Sequence, residues 1–341
     1  MQTSTLEVTA FTGLIDLASE KLGAKAVCCS DEFFAEKENL LKPGRGIFIE
    51  DKYTDRGKWM DGWETRRRRD NGNDWCIVRL GLKGVIRGVD IDTNHFLGTH
   101  PPYASIDACV APADARKDQL MDSTKWVEIL PRSPLSAGAQ NLFPVSNSEQ
   151  WTHVRLNIFP DGGVARLKVY GDVTPDWHTH QPDAVLDLAA VEYGGRVVAC
   201  NDMFFGNMEN LIMPGRGRNT GDAWETRRKR ESGFDWAIVK LGHPGVVKKL
   251  NVDTAWHIGN YPDTCRIEGC YAPDLNVDNL SLHETQWKEI LPQSKLQADR
   301  PHNFEGEVKD VGPVTHVRLN IYPDGGVARL RVLCNLAQVK A

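Results

Sequence analysis

The chain has no excess of basic residues. Lys and Arg total 41 against 46 Asp and Glu, for a net charge of −5 at pH 7. That balance gives no pull toward nucleic acid or an anionic lipid surface. No apolar run is long enough to cross a bilayer. The opening MQTSTLEVTAF has neither the basic end nor the apolar core of a signal peptide, so the cytoplasm is the expected location. There is no C-x-x-C among the 8 cysteines, and most sit in apolar runs such as Trp75-Cys76-Ile77-Val78. They read as buried free thiols. The sequence also lacks a P-loop, an H-E-x-x-H, a Ser-His-Asp spacing and a Cys/His cluster with zinc spacing. No metal and no cofactor is therefore expected. The alternative is a divalent ion held by carboxylates and histidines that converge from distant strands.

What the chain does have, it has twice. Residues 152–169 read THVRLNIFPDGGVARLKV and residues 315–332 read THVRLNIYPDGGVARLRV. Only Phe159/Tyr322 and Lys168/Arg331 differ. Val154, Leu156 and Ile158 alternate with His153, Arg155 and Asn157, which is strand period. Ala165, Leu167 and Val169 alternate again after Pro-Asp-Gly-Gly, so each copy predicts a β-hairpin with the glycines at its turn. The apolar face is core. The opposite face carries the same His, Arg and Asn in both copies, a set that packing alone does not require.

The duplication runs through most of the 341 residues, a length suited to roughly two domains. LIDLASEKLGAKAVCCSDEFFAEKENLL at 14–41 is matched by VLDLAAVEYGGRVVACNDMFFGNMENLI at 185–212. A short helix at 14–21 and a strand at 24–29 are predicted there. Pro43-Gly44-Arg45-Gly46 and Pro214-Gly215-Arg216-Gly217 follow, where glycines let the backbone approach an anion that the arginine could hold. Repeat one then carries an insertion between 47 and 60, rich in Lys, Asp and Tyr. WETRRRRDNGNDW (63–75) matches WETRRKRESGFDW (224–236), with Asp61 and Asp222 just ahead of each Trp. These arginines serve either a ligand anion or structural ion pairs. Two strands are predicted next, at 76–81 and 85–91. The loop DTNHFLGTHPP (92–102) faces DTAWHIGNYPD (253–263), and His95 and His257 do not align. The segment 173–184 reads as a linker between repeats at 1–172 and 185–341. Its His178 and His180 read as incidental rather than metal-binding.

The run DWCIVRLGLKGVIRGVDIDT resembles the galactose-binding or discoidin-like jelly roll, an eight-stranded antiparallel sandwich. The fold class expected is all-β, with two tandem jelly-roll repeats. The doubled GRG, D-x-WETRR-x-R, DW-x-IV, VD-x-DT and HVRLNI-x-PDGGVARL together resemble the allantoicase family over nearly the whole chain. That resemblance implies hydrolysis of allantoate to ureidoglycolate and urea in purine degradation, and assembly into a homo-oligomer. The copies part at Thr99-His100 against Asn260-Tyr261.

Allantoate carries a carboxylate and two ureido groups on one carbon. Arginine forks match a carboxylate bidentately, which nominates Arg45, Arg66, Arg67 and Arg155, with Arg216, Arg227, Arg228 and Arg318 in the second copy. Asn157, Asn320, Asp61 and Asp222 could read the ureido groups. Proton transfer to the leaving urea needs a Glu or His: Glu64, Glu225, His153 and His316 first, then His95 or His257. The competing expectation is a non-catalytic tandem carbohydrate-binding module. Sugar sites rely on exposed aromatics and few charges, whereas these repeats are rich in arginines with adjacent carboxylates, which favours a small anionic substrate.

Overall fold

The computed structural model describes residues 11–122, 124–181, 183–274 and 286–337. The opening stretch without leader character lies largely outside them. The chain divides between Thr174 and Pro175 into two units of the same topology. In the first, hydrogen bonding runs in the order Ile15–Asp16, Arg166–Val173, Asp74–Asp92, Gln150–Phe159, Tyr103–Cys109, Val127–Pro134. Lys25–Cys29 and Leu142–Pro144 join the same sheet through the Asp74–Asp92 strand. The second unit repeats this order from Val185–Asp187 to Lys288–Lys295, with Asp235–Asp253 as its long strand.

The two strands predicted at 76–81 and 85–91 are this single long strand. Its first half pairs with Lys25–Cys29 and with Gln150–Phe159; from Gly84 onward it pairs with Arg166–Val173 and, further along, Leu142–Pro144. One strand thereby serves both layers of a sandwich. Val78, Ile86, Val89, Ile91, Leu156, Ile158, Leu167 and Val169 are almost fully buried. Ile77 is buried on the other face, against Cys28 and Leu120 of the short Lys117–Asp122 helix. At about 1.5–3 kcal/mol per fully buried large apolar side chain, such residues are the main term favouring the fold.

The predicted hairpins do not form. Gln150–Phe159 and Arg166–Val173 each pair with the long strand, overlapping there only at Gly84 and Val85, and not with each other. Pro-Asp-Gly-Gly is a crossover between layers, entered through a cis Phe159–Pro160 bond, with Gly163–Val164 pairing to Trp63–Glu64 on the way. Both alternating runs bury an apolar face in either arrangement, so local period cannot choose the partner. The predicted helix at 14–21 is also absent. Ile15–Asp16 is a two-residue strand and Glu20–Leu22 a single 3-10 turn. The Asp16 carboxylate accepts from the N–H groups of Ala18 (3.1 Å) and Val169 (3.0 Å), which stitches the segment to the sheet and competes with helical bonding.

Candidate active site

Three duplicated stretches meet at one end of each sandwich. In the first unit, Thr65 N–H donates to the Gly162 carbonyl and Gly162 N–H to Thr65 Oγ1, each at 3.1 Å. Gly163 N–H donates to the Thr99 carbonyl at 2.7 Å. The Asp161 carboxylate accepts from Arg68 N–H at 2.8 Å. The W-E-T-R-R segment, the D-G-G crossover and the Gly/Pro loop are thus bonded to one another. Only glycine fits the crossover at Gly162: its φ is +138°, and a Cβ would lie 2.5 Å from the Thr99 carbonyl oxygen. The fully buried Trp63 anchors the strand below, donating from Nε1 to the Asp31 carbonyl at 2.8 Å.

These stretches enclose a cavity of about 930 Å3. Glu64 lines it half-buried, and burial pushes its carboxyl above the usual range while a hydrogen bond with Thr99 pulls the other way. Of the neighbouring arginines, Arg66 is held by Asp31 at 2.8 Å and Arg68 by Asp74 and Asp70 at 2.7 and 2.8 Å. Arg67 is exposed on the cavity wall and has no ion pair or hydrogen bond among the described residues. His100 lines the same wall, with its Nδ1 buried and without a hydrogen-bond partner among the described residues. Phe33 and Phe34 close one side. The insertion folds as a hairpin, Tyr53–Thr54 against Gly57–Lys58, and its Arg56 donates to the Phe33 carbonyl at 3.0 Å and lies over that ring.

The second unit repeats the construction around a cavity of about 690 Å3 lined by Glu225, Thr226, Arg228, Asn260, Tyr261 and their neighbours. Thr226 and Gly325 exchange hydrogen bonds at 3.1 Å, and Asp324 accepts from Lys229 N–H at 2.7 Å. Glu225 differs from Glu64 in its company. Asn260 Nδ2 donates to its Oε1 at 2.6 Å, and His257 Nε2 lies 3.6 Å from its Oε2. His257 is fully buried, with Nδ1 on the Ala255 carbonyl at 2.8 Å. In the first unit the matching place, against the second crossover glycine, belongs to buried Phe96.

The structure therefore gathers Glu64, Arg66 and Arg67 around one cavity, and Glu225 and Arg228 around the other with His257 behind. The remaining predicted site residues line neither. Arg45 forms a two-point ion pair with Asp92 (2.8 and 3.0 Å), and Arg216 pairs with Asp253 (3.1 Å) and Asp299 (3.2 Å). Asp61 and Asp222 are held by buried Arg166 and Arg329 at 2.7 and 2.9 Å. Arg227 is bound to Asp202 at 2.7 Å. Arg155 and Asn157 converge on Asp107 at 2.7 and 2.9 Å, and Arg318 and Asn320 on Glu268 at 2.6 and 3.0 Å. His153 and His316 are buried in their strands, each 2.9 Å from a neighbouring threonine hydroxyl. Burial, with Arg79 or Lys240 nearby, pulls each imidazole down to about 4, so both are neutral at pH 7. His95 sits exposed at φ 68°, stacked on Phe48 of the insertion.

His100 and Thr99 were absent from the predicted site. The signal was present, because Thr99-His100 is where the two copies part, but selecting residues common to both copies passes over it. Among the described residues, no group of three or more His, Cys, Asp and Glu side chains is placed to hold a metal ion.

Comparison with known proteins is consistent over the whole molecule. A family model described as the allantoicase repeat matches residues 15–174 and again 186–337. The chain is 51% identical over 318 residues to a probable allantoicase 1 of Burkholderia mallei (strain ATCC 23344), covering 93% of each. It is 48% identical over 322 residues to a probable allantoicase of Pseudomonas paraeruginosa, covering 94% of this chain and 96% of that one. The crystal structure of allantoicase from Saccharomyces cerevisiae superposes with a TM-score of 0.81 at 36% identity, over 97% of this chain and 98% of that one.

Proposed function

The chain belongs to the allantoicase family, and from that premise we infer that it hydrolyses allantoate to ureidoglycolate and urea, with the first unit's cavity as the catalytic site. One observation carries the placement: a carboxyl pushed up by burial, Glu64, shares a cavity with Arg67, an arginine that no described residue neutralises. A carboxyl whose burial favours its protonated form suits an acid for a nitrogen leaving group, and a guanidinium without an ion pair among the described residues suits the substrate carboxylate.

On this reading Arg67 binds the carboxylate and holds the central carbon over Glu64. Glu64 gives its proton to one ureido nitrogen as the C–N bond breaks and urea leaves. The electron pair of the remaining ureido N–H bond forms a C=N bond, and its proton passes to His100. Water then adds to the imine carbon, giving its proton to the Glu64 carboxylate while His100 returns the other to nitrogen. Ureidoglycolate results and both groups regain their starting states. The relatives favour this hydrolase over the sugar-binding alternative.

Assembly into a homo-oligomer and a cytoplasmic location belong to the same reading. All eight cysteines are free thiols, which fits a reducing compartment. The test is purified protein with allantoate and an assay for urea. One urea and one ureidoglycolate per allantoate are expected. Folded protein that releases no urea above background, with divalent ions added, overturns the reading.

A further inference from the structure

The second cavity keeps part of the first cavity's equipment and exchanges the rest. Glu225 and Arg228 stand where the first unit has Glu64 and Arg67. Arg228 is exposed on the cavity wall and, among the described residues, has no ion pair or hydrogen bond. Tyr261 replaces His100, exchanging the imidazole of the scheme above for a phenol. His257 replaces Phe96, placing a fully buried imidazole behind the carboxylate.

The hydrogen-bond roles of His257 Nδ1 and of Asn260 follow from geometry. His257 Nδ1 faces a carbonyl at 2.8 Å, so it carries a hydrogen. Its Nε2 is buried, has no hydrogen-bond partner among the described residues and lies 3.6 Å from Glu225 Oε2. Asn260 donates to the other oxygen. Glu225 is thus set between an amide donor and an imidazole, where Glu64 has the Thr99 hydroxyl. A carboxylate offers about four lone-pair sites, so Glu225 retains capacity to accept from a ligand.

We propose that the second unit's cavity is a separate binding site for a small ureido-carboxylate anion, in which Arg228 takes the carboxylate and Glu225, backed by His257 and Asn260, accepts the ureido N–H groups. The ligand class rests on the allantoate reading above. The site binds, and turnover belongs to the first cavity.

The probe is ureidoacetate (N-carbamoylglycine). It carries a carboxylate and one ureido group but no second nitrogen or oxygen on the central carbon, so no imine-forming cleavage is open to it. Titrated calorimetrically into the full chain, it is expected to bind at two sites per chain. Arg228→Ala should remove one of them, weakening it at least tenfold, and Arg67→Ala should remove the other. His257→Phe, which installs the first unit's side chain, should weaken the Arg228-dependent site several-fold and leave the other alone. One site per chain in the wild type, or two sites unchanged in both Arg228→Ala and His257→Phe, overturns the proposal. The two readings fail separately. Full turnover by Glu64→Gln would remove the catalytic assignment and leave two-site binding standing, whereas one-site binding with an inactive Glu64→Gln would do the reverse.

Discussion

The two cavities share one frame and differ in a few side chains. Each has a Glu on the same short strand, a Thr-Gly exchange beneath it and an Asp that fixes the basic segment. Against that common frame, Phe96, Thr99 and His100 face His257, Asn260 and Tyr261. The insertion adds a further difference: Phe33 and Phe34 are 37% and 38% exposed, while Phe204 and Phe205, which lack a covering hairpin, are 66% and 61% exposed. The duplicated backbone places a Glu and an Arg in each cavity, and their neighbours differ: burial raises the Glu64 carboxyl, whereas Asn260 donates to Glu225.

The largest effect separating the cavities belongs to Glu64. Glu64→Gln should lower kcat by about 10²- to 10⁴-fold, the usual contribution of a positioned acid. In the wild type, kcat/KM should fall as pH rises through the raised Glu64 value, because the protonated form is lost; that limb should be missing from the residual activity of Glu64→Gln.

Next comes a contrast in stability. Asp90 is fully buried, and burial pushes its carboxyl up to about 6, although Gln140 donates to one oxygen at 2.8 Å. The matching residue in the second unit is Asn251, whose amide donates to Asn303 at 2.7 Å. The folded Asp90 holds its proton more tightly than the unfolded chain does. Its stabilising effect is therefore complete below about 3.8 and is lost as pH rises through about 6. Asp90→Asn should stabilise the protein at pH 8 by roughly 2–3 kcal/mol and change little at pH 4, as read from denaturation midpoints. A variant less stable than wild type at pH 8 would contradict this.

Arg67→Ala should lower kcat/KM about 10- to 100-fold, the loss of a charge-assisted contact. Arg66→Ala should cost less, because Asp31 already holds that guanidinium. The smallest effect falls on Arg155. It lies over Trp126 and pairs with Asp107, so Arg155→Ala should lower stability by about 1–2 kcal/mol with kcat little changed. Loss of activity at unchanged stability would return Arg155 to the substrate.

The fold class was legible because period-two alternation and the doubled motifs do not depend on which strands pair. Pairing itself was not. PDGG between two alternating runs reads as a hairpin, and the decision to cross layers instead lies in distant contacts such as Gly162 against Thr99. Gly81 and Gly84 made one long strand look like two. Glu64 and Arg67, which line the first cavity, stand out in the sequence by their recurrence in a charged cluster. Arg155, Asn157, Arg318 and Asn320 recur just as strictly, yet their partners Asp107 and Glu268 lie some fifty positions away, where local spacing carries no information. His100, on the wall of the same cavity, occurs in one repeat only, so recurrence between the copies does not point to it.

The most direct measurement is kcat for urea release from saturating allantoate by Glu64→Gln and Glu225→Gln, side by side. The loss in Glu64→Gln is expected to exceed that in Glu225→Gln by at least about tenfold. An equal or larger loss in Glu225→Gln would contradict it.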